Sequence, residues 1–216
     1  MKDKGMARVA EGPPSEERRR QIVEAALAVF ARKGYAGATN KDIGNEAGIT
    51  PGLIYHYFED KRALFAAVFA EHSPMSGASG LLQTPGIEEL DPRVVLSLLA
   101  TAMVSRLETT ENLRVFKLMT GEAMHDPAIR SVLNANVASA VNAVAGYLRL
   151  QMDRGRLRSL EPYLVAQLFL GSLMNCVMRR AVTGDPMMAS YSREQIAATA
   201  VEMALGGLEP ARAVTV

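Results

Sequence analysis

The sequence predicts an all-α protein of about nine helices, and three observations carry that expectation. Apolar residues recur at helical rather than alternating spacing along nearly the whole chain. Hydroxyl or carboxylate residues suited to N-capping stand just before those runs, sometimes with proline at the first helical position. The turns between the later runs contain Asp-Pro or Gly-Asp-Pro, as expected for antiparallel neighbours in a bundle.

Residues 1–14 precede the first helical signal and are expected as a disordered arm. From Ser15, SEERRRQIVEAALAVFARKG sets Ile22, Val23, Ala26, Leu27, Val29 and Phe30 on one face. Ser15 suits the N-cap, Glu16 and Glu17 the positive end of the helix dipole, and Arg32-Lys33-Gly34 a C-terminal stop. Thr39 with Asp42 three residues later is a capping-box pattern for a short helix that ends at Gly48. Thr50-Pro51 opens a second short helix, and Asp60 ahead of KRALFAAVF opens a third. Residues 73–90 contain SPMSGASGLLQTPG and read as a linker. Longer helices are expected over 91–109, 111–125, 126–154, 161–183 and 192–206, within a second domain at 91–208, leaving 209–216 as a flexible tail.

Composition narrows the function. The chain has 216 residues, 49% hydrophobic and 22% charged, which suits a globular protein with a substantial core. Cys176 is the only cysteine, so an internal disulfide and a thiolate metal cluster are excluded, and a reducing, cytoplasmic setting fits. It lies between Leu173 and Val177 in an apolar run, which predicts an inert buried thiol. The N-terminus lacks the apolar segment of a secretory signal. Stretches 131–148 and 163–178 carry no charge, but interspersed Asn, Gln and Ser and modest length make them buried helices rather than membrane spans. One His125-Asp126 step, with only His56 and His72 elsewhere, cannot complete a metal site, and Asp126-Pro127 reads as a helix start. HExxH, GxSxG, P-loop and GxGxxG motifs do not occur, so the expectation is a non-enzyme without metal or cofactor.

The informative segment is 39–58. A helix of about seven residues, a turn through Gly48 and a second short helix is the layout of a helix-turn-helix, whose second helix enters the DNA major groove. Neither helix can bury its apolar face alone; Phe30, Leu64, Phe65 and Val68 are needed to close a small core. The second helix contains YHYF, a third of the chain's Phe and Tyr residues in one run. Ile54 and Phe58, four apart, point inward, which leaves Tyr55, His56 and Tyr57 for phosphates, sugar or a thymine methyl. Thr50, Pro51, Gly52 and Leu53 form the approaching end of that helix, and Thr39 and Asn40 supply a second such end. Arg18, Arg19 and Arg20 are divided between a solvated helix end and phosphate contacts. Residues 1–72 hold eleven Lys/Arg against ten Asp/Glu, so any nucleic-acid contact must depend on where charges sit.

The ordered series KGY, ATNKDIGNEAGI, TPGLIYHYF and DKRALF resembles the DNA-binding domain of the TetR family of bacterial transcriptional regulators, over about residues 15–70. Gly52, Tyr55, Phe58, Lys61 and Leu64 stand where that family's pattern has them. Two features depart from it: Gly44 replaces the usual alanine, and Pro51 and Leu53 fill positions where Lys, Ser, Ala or Thr are frequent. Without a packing reason, Gly44 costs about 1 kcal/mol of helix stability.

The resemblance implies an N-terminal three-helix DNA-binding domain over 15–72 and a C-terminal helical ligand-binding and dimerisation domain. It adds Lys61 to the DNA contacts. It implies a homodimer through the last two helices, with small Ala166, Gly171 and Ser172 allowing close approach, and a small hydrophobic effector that releases a palindromic operator. Met103, Leu107, Phe116, Met119, Met124, Tyr147 and Met174 are the candidate effector-lining residues, Met being adaptable in shape. The near-neutral N-terminal domain also supports a second reading, a small-molecule carrier or interaction module on the same scaffold without DNA binding.

Overall fold

The computed structural model describes residues 15–73, 76–107 and 109–208; the expected arm 1–14 and tail 209–216 lie outside them. Among the described residues there are eleven α-helices and no strand. They divide into two compact units, Met1–Val68 and Phe69–Val216.

In the first unit α1 (Ser15–Gly37) buries Ile22, Val23, Ala26, Leu27, Val29 and Phe30, the face predicted from their spacing. Its regular helix ends at the expected stop, where Gly34 takes φ 71° and ψ 170°. Next come α2 (Asn40–Ala47), α3 (Pro51–Tyr57) and α4 (Lys61–His72), whose last residues pass into the second unit. Phe30, Ile43, Ile54, Leu64, Phe65 and Val68 close the small core, with Phe30 and Phe65 edge to face at 5.0 Å.

The second unit holds α5 (Ser76–Leu82), α6 (Pro92–Leu107), α7 (Thr110–His125), α8 (Pro127–Asp153), α9 (Pro162–Val177), α10 (Pro186–Ala189) and α11 (Arg193–Leu208). The long α8 packs on α5, α7 and α9, while α11 packs on α6 and α9. Asp126 starts α8 as predicted, its carboxylate accepting from the Ala128 and Ile129 amides.

Three local features differ from the sequence expectation. Residues 73–90, read as a linker, contain α5 and a 3-10 turn at Ile87–Glu89. That turn is fastened to the end of α8: Gln151 Nε2 and Arg154 Nη1 both donate to the Glu88 carbonyl, at 2.8 and 2.7 Å. Ser and Gly composition mimicked a linker, but Ile87, Leu81 and Leu82 supply apolar contacts to the main core. The helix expected to run to 183 changes to π geometry over Met178–Val182, and α10 follows within the anticipated turn. No helix among the described residues is long and apolar enough to cross a membrane.

Candidate nucleic-acid interface

The start of α2 is built by a reciprocal cap. The Thr39 hydroxyl accepts from the Asp42 amide at 3.2 Å and donates to Asp42 Oδ2 at 2.8 Å, while the Thr39 amide donates to the same carboxylate at 3.1 Å. Lys33 Nζ adds an ion pair with Asp42 at 2.7 Å. These hydrogen bonds, from Lys33 first and Thr39 second, hold the Asp42 carboxyl down at about 2. Arg32 pairs with Glu46 at 2.7 Å further along the same helix. Two cations of α1 are thereby engaged in holding α2.

The turn to α3 is compact. Gly48 closes α2 in the left-handed region at φ 66°, and the Ile49 amide donates to the Gly44 carbonyl at 2.9 Å. A Cβ at position 44 would stand 3.0 Å from the Ile49 oxygen and 3.2 Å from the Pro51 nitrogen. That is the packing reason for glycine there: the turn lies directly against its α-carbon. Gln21, on α1, donates from Nε2 to the Ala47 carbonyl at 2.8 Å.

Ile54 on α3 and Phe58, the extended residue that closes it, are buried as predicted, and Arg19 lies 5.3 Å from the centre of the Phe58 ring. Pro51, Gly52, Tyr55 and His56 are exposed, Leu53 and Tyr57 half-buried. Tyr55 is 61% exposed, while His56 and Tyr57 meet edge to face at 5.4 Å. Thr50 is the N-cap residue but makes no side-chain cap bond, and open space surrounds the α-carbon of Gly52. Asn40 is half-buried, and its Oδ1 has no hydrogen-bond partner. Lys61 is half-buried and donates to the Tyr35 and Ala38 carbonyls. Pro51, Gly52, Tyr55 and His56 thus lie open along one short helix with Leu53 and Tyr57 at the edge, whereas Thr39 and Lys61 make internal bonds. The roles of Gln21, Arg32 and Lys33 have no local sequence signal, because their partners lie 9 to 26 residues away.

Known proteins decide the family. Residues 22–68 match the bacterial regulatory proteins of the tetR family, and residues 94–207 match the AefR-like transcriptional repressor C-terminal domain. The chain belongs to the TetR family. The HTH-type transcriptional repressor AcnR of Corynebacterium efficiens is 29% identical over 182 residues, spanning 82% of this chain and 88% of that protein. A TetR-family transcriptional regulator from Mesorhizobium loti has the same fold, with TM-score 0.74 and 24% identity over 92% of this chain and all of that one. FadR of Bacillus subtilis, solved in complex with stearoyl-CoA, superposes with TM-score 0.66 and 22% identity over 87% of this chain and 98% of that one. This TetR-family member is a DNA-binding transcriptional regulator rather than an enzyme.

In this TetR-family chain the effector candidates divide. Met103, Phe116 and Tyr147 are buried in one apolar core, with Met174 packed at its edge. Met119 is also buried. Met124 is 75% exposed in the last turn of α7, so the structure removes it from any interior lining. The side chain of Leu107 lies outside the described residues. The Tyr147 hydroxyl has no hydrogen-bond partner and is pushed up to about 12, chiefly by burial, with Arg156, Asp91 and Arg154 near enough to act on it.

The face of α9 and α11 is apolar and open. Leu164, Leu168 and Met203 are exposed; Met203 lines two grooves of about 300 and 230 Å³, and Leu168 the smaller of them. Ser172 lines both and Gly171 is half-buried, but Ala166 is fully buried and faces the core instead. Cys176 is half-buried and lines the larger groove with Met188 and Tyr191, rather than lying inside the core as its sequence neighbours implied.

Proposed function

We propose that the protein is a repressor that binds a palindromic operator as a homodimer and leaves it when a small hydrophobic effector occupies the C-terminal unit. The observation that carries the DNA contact is the exposed side of α3, where Gly52, Tyr55 and His56 stand open beside a Thr50 hydroxyl without cap duty. Pro51, Leu53 and Tyr57 flank that surface, and Thr39 and Asn40 give the neighbouring end of α2. Backbone amides and phenol hydroxyls grip phosphate, while rings and Leu53 meet thymine methyls.

The apolar face of α9 and α11 supports the dimer, because a monomer in water gains by covering Leu164, Leu168 and Met203. Two-fold symmetry then sets two copies of α3 about one helical turn of DNA apart, so the operator repeats in inverted orientation. The buried cluster of Met103, Phe116 and Tyr147, with Met174 beside it, supports the effector site: an apolar molecule with one polar atom would satisfy the Tyr147 hydroxyl. FadR, on the same fold, is solved with stearoyl-CoA, whose long acyl chain is apolar and whose coenzyme A part is charged. A coupling of about 1–3 kcal/mol between the two sites is enough for release, and α4 is the covalent link across the boundary. The setting is cytoplasmic.

The experiment is titration of the full chain onto duplexes from its own promoter region over a salt series. Sequence-dependent binding that weakens steeply with salt is expected; binding indifferent to both would overturn the proposal.

A further inference from the structure

Lys61 opens α4, and the family resemblance assigns it to phosphate. Its neighbours suggest another task. Nζ donates to the Tyr35 carbonyl at 2.8 Å and to the Ala38 carbonyl at 3.0 Å, and it lies 4.5 Å from the centre of the Tyr35 ring. Those carbonyls bracket the segment through which the chain leaves α1 after the Gly34 break and reaches the Thr39 cap of α2. Carbonyls at a helix end lack partners within the helix, and an ammonium with three donors can satisfy two while facing a ring. Tyr35 is itself held between Phe30 and Phe65, at 5.8 and 4.7 Å between ring centres, so the clamp is anchored in the domain core.

We propose that Lys61 is a positioning residue for operator binding: it fixes the α1–α2 connection, and through Thr39 the leading end of α2, instead of neutralising a phosphate. The inference rests on the DNA-binding reading above. A half-buried cation that gives two of its three donors to carbonyls and faces a ring inside the domain offers less to a phosphate, and releases less counterion, than an exposed one. Exposed Lys41 and Arg62 are better placed for that part.

The test uses the full chain, its promoter duplex and Lys61→Met, with affinity read at several salt concentrations and the folded fraction fixed by urea unfolding. The folded Met variant binds roughly tenfold more weakly, for the loss of two charge-assisted hydrogen bonds, while the slope of log affinity against log salt stays at the wild-type value. Lys61→Gln keeps an N–H donor without charge, loses less than the Met variant, and serves where that variant fails to fold. A slope reduced by about one per DNA-binding domain would mean a phosphate contact and overturn the inference alone. Unchanged affinity of the folded fraction would reduce Lys61 to a fold-stabilising role and overturn it too. Wild-type protein that binds no duplex would overturn the DNA-binding reading and this inference together, a result distinct from both.

Discussion

Gln21 and Ala47, 26 positions apart, meet through a 2.8 Å hydrogen bond from the glutamine amide to the last carbonyl of α2. That carbonyl has no partner within its own helix, so α1 supplies the cap that sequence alone did not reveal. Gln21→Leu keeps helix propensity and bulk but removes the donor. Its expected cost is about 1 kcal/mol, read as a lower urea midpoint; an unchanged midpoint would mean that water replaces the bond without loss.

Gly48 holds the turn between α2 and α3 at φ 66°, with open space where a side chain would go. Alanine there meets no neighbour, so its cost is conformational alone, about 1 kcal/mol for a left-handed L-residue. Equal thermal stability of Gly48→Ala and wild type would show that the turn has another accessible geometry.

The helix-turn-helix was legible because its signals are local. Thr39 to Asp42, Gly48, and Thr50-Pro51 each specify a cap or turn within a few residues, and the structure forms each of those boundaries. Phe58 and Ile54 could be turned inward from their four-residue spacing. What sequence could not place was set by distant partners. The bonds from Lys61 to the Tyr35 and Ala38 carbonyls span more than twenty positions and have no local signal, and Ala166, expected on an outer face, is turned by α9 into the core. Residues 73–90 failed for a related reason: α5 gains its stability from packing on α8, which composition does not record.

Acid sensitivity should trace to Asp42. Its carboxyl is held at about 2, below the ordinary 3.8, first by the Lys33 hydrogen bond and then by Thr39. A depressed value means that the folded state favours the ionised form. The contribution is therefore complete above the ordinary value and is lost as pH falls towards about 2. Across that window the stability of Asp42→Asn should change less with pH than that of wild type, as followed by urea unfolding at each pH. Parallel curves would show that the Lys33–Thr39–Asp42 cluster does not govern acid unfolding.

Tyr55 offers a widely exposed phenol ring on α3, and that helix carries no Arg, Lys, Asn or Gln with which to form bidentate bonds to a base. Tyr55→Ala should weaken operator binding roughly tenfold, the scale of one lost ring or phosphate contact, with the far-ultraviolet helical signal unchanged. Uracil in place of thymine, one operator position at a time, then tells which thymine methyls α3 touches. Full affinity of the alanine variant would exclude Tyr55 from the interface.

The last prediction concerns the face of α9. Leu168 is 73% exposed, whereas Ala166, two residues earlier, is fully buried. A glutamate at 168 meets only solvent in the isolated chain, so it should leave the helical signal and thermal stability of a monomer almost unchanged. In a dimer through α9 and α11 the same carboxylate would be taken from water into an apolar surface beside Met203 and the smaller groove, a costly transfer without a cationic partner. Leu168→Glu should therefore sediment as a monomer at concentrations where wild type sediments as a dimer. Operator affinity should fall with it, because one recognition helix then binds one half-site without its symmetry mate. Ala166→Glu is the contrasting case and should unfold the C-terminal unit instead. A Leu168→Glu protein that remains dimeric with full operator affinity would place the dimer contact on another face.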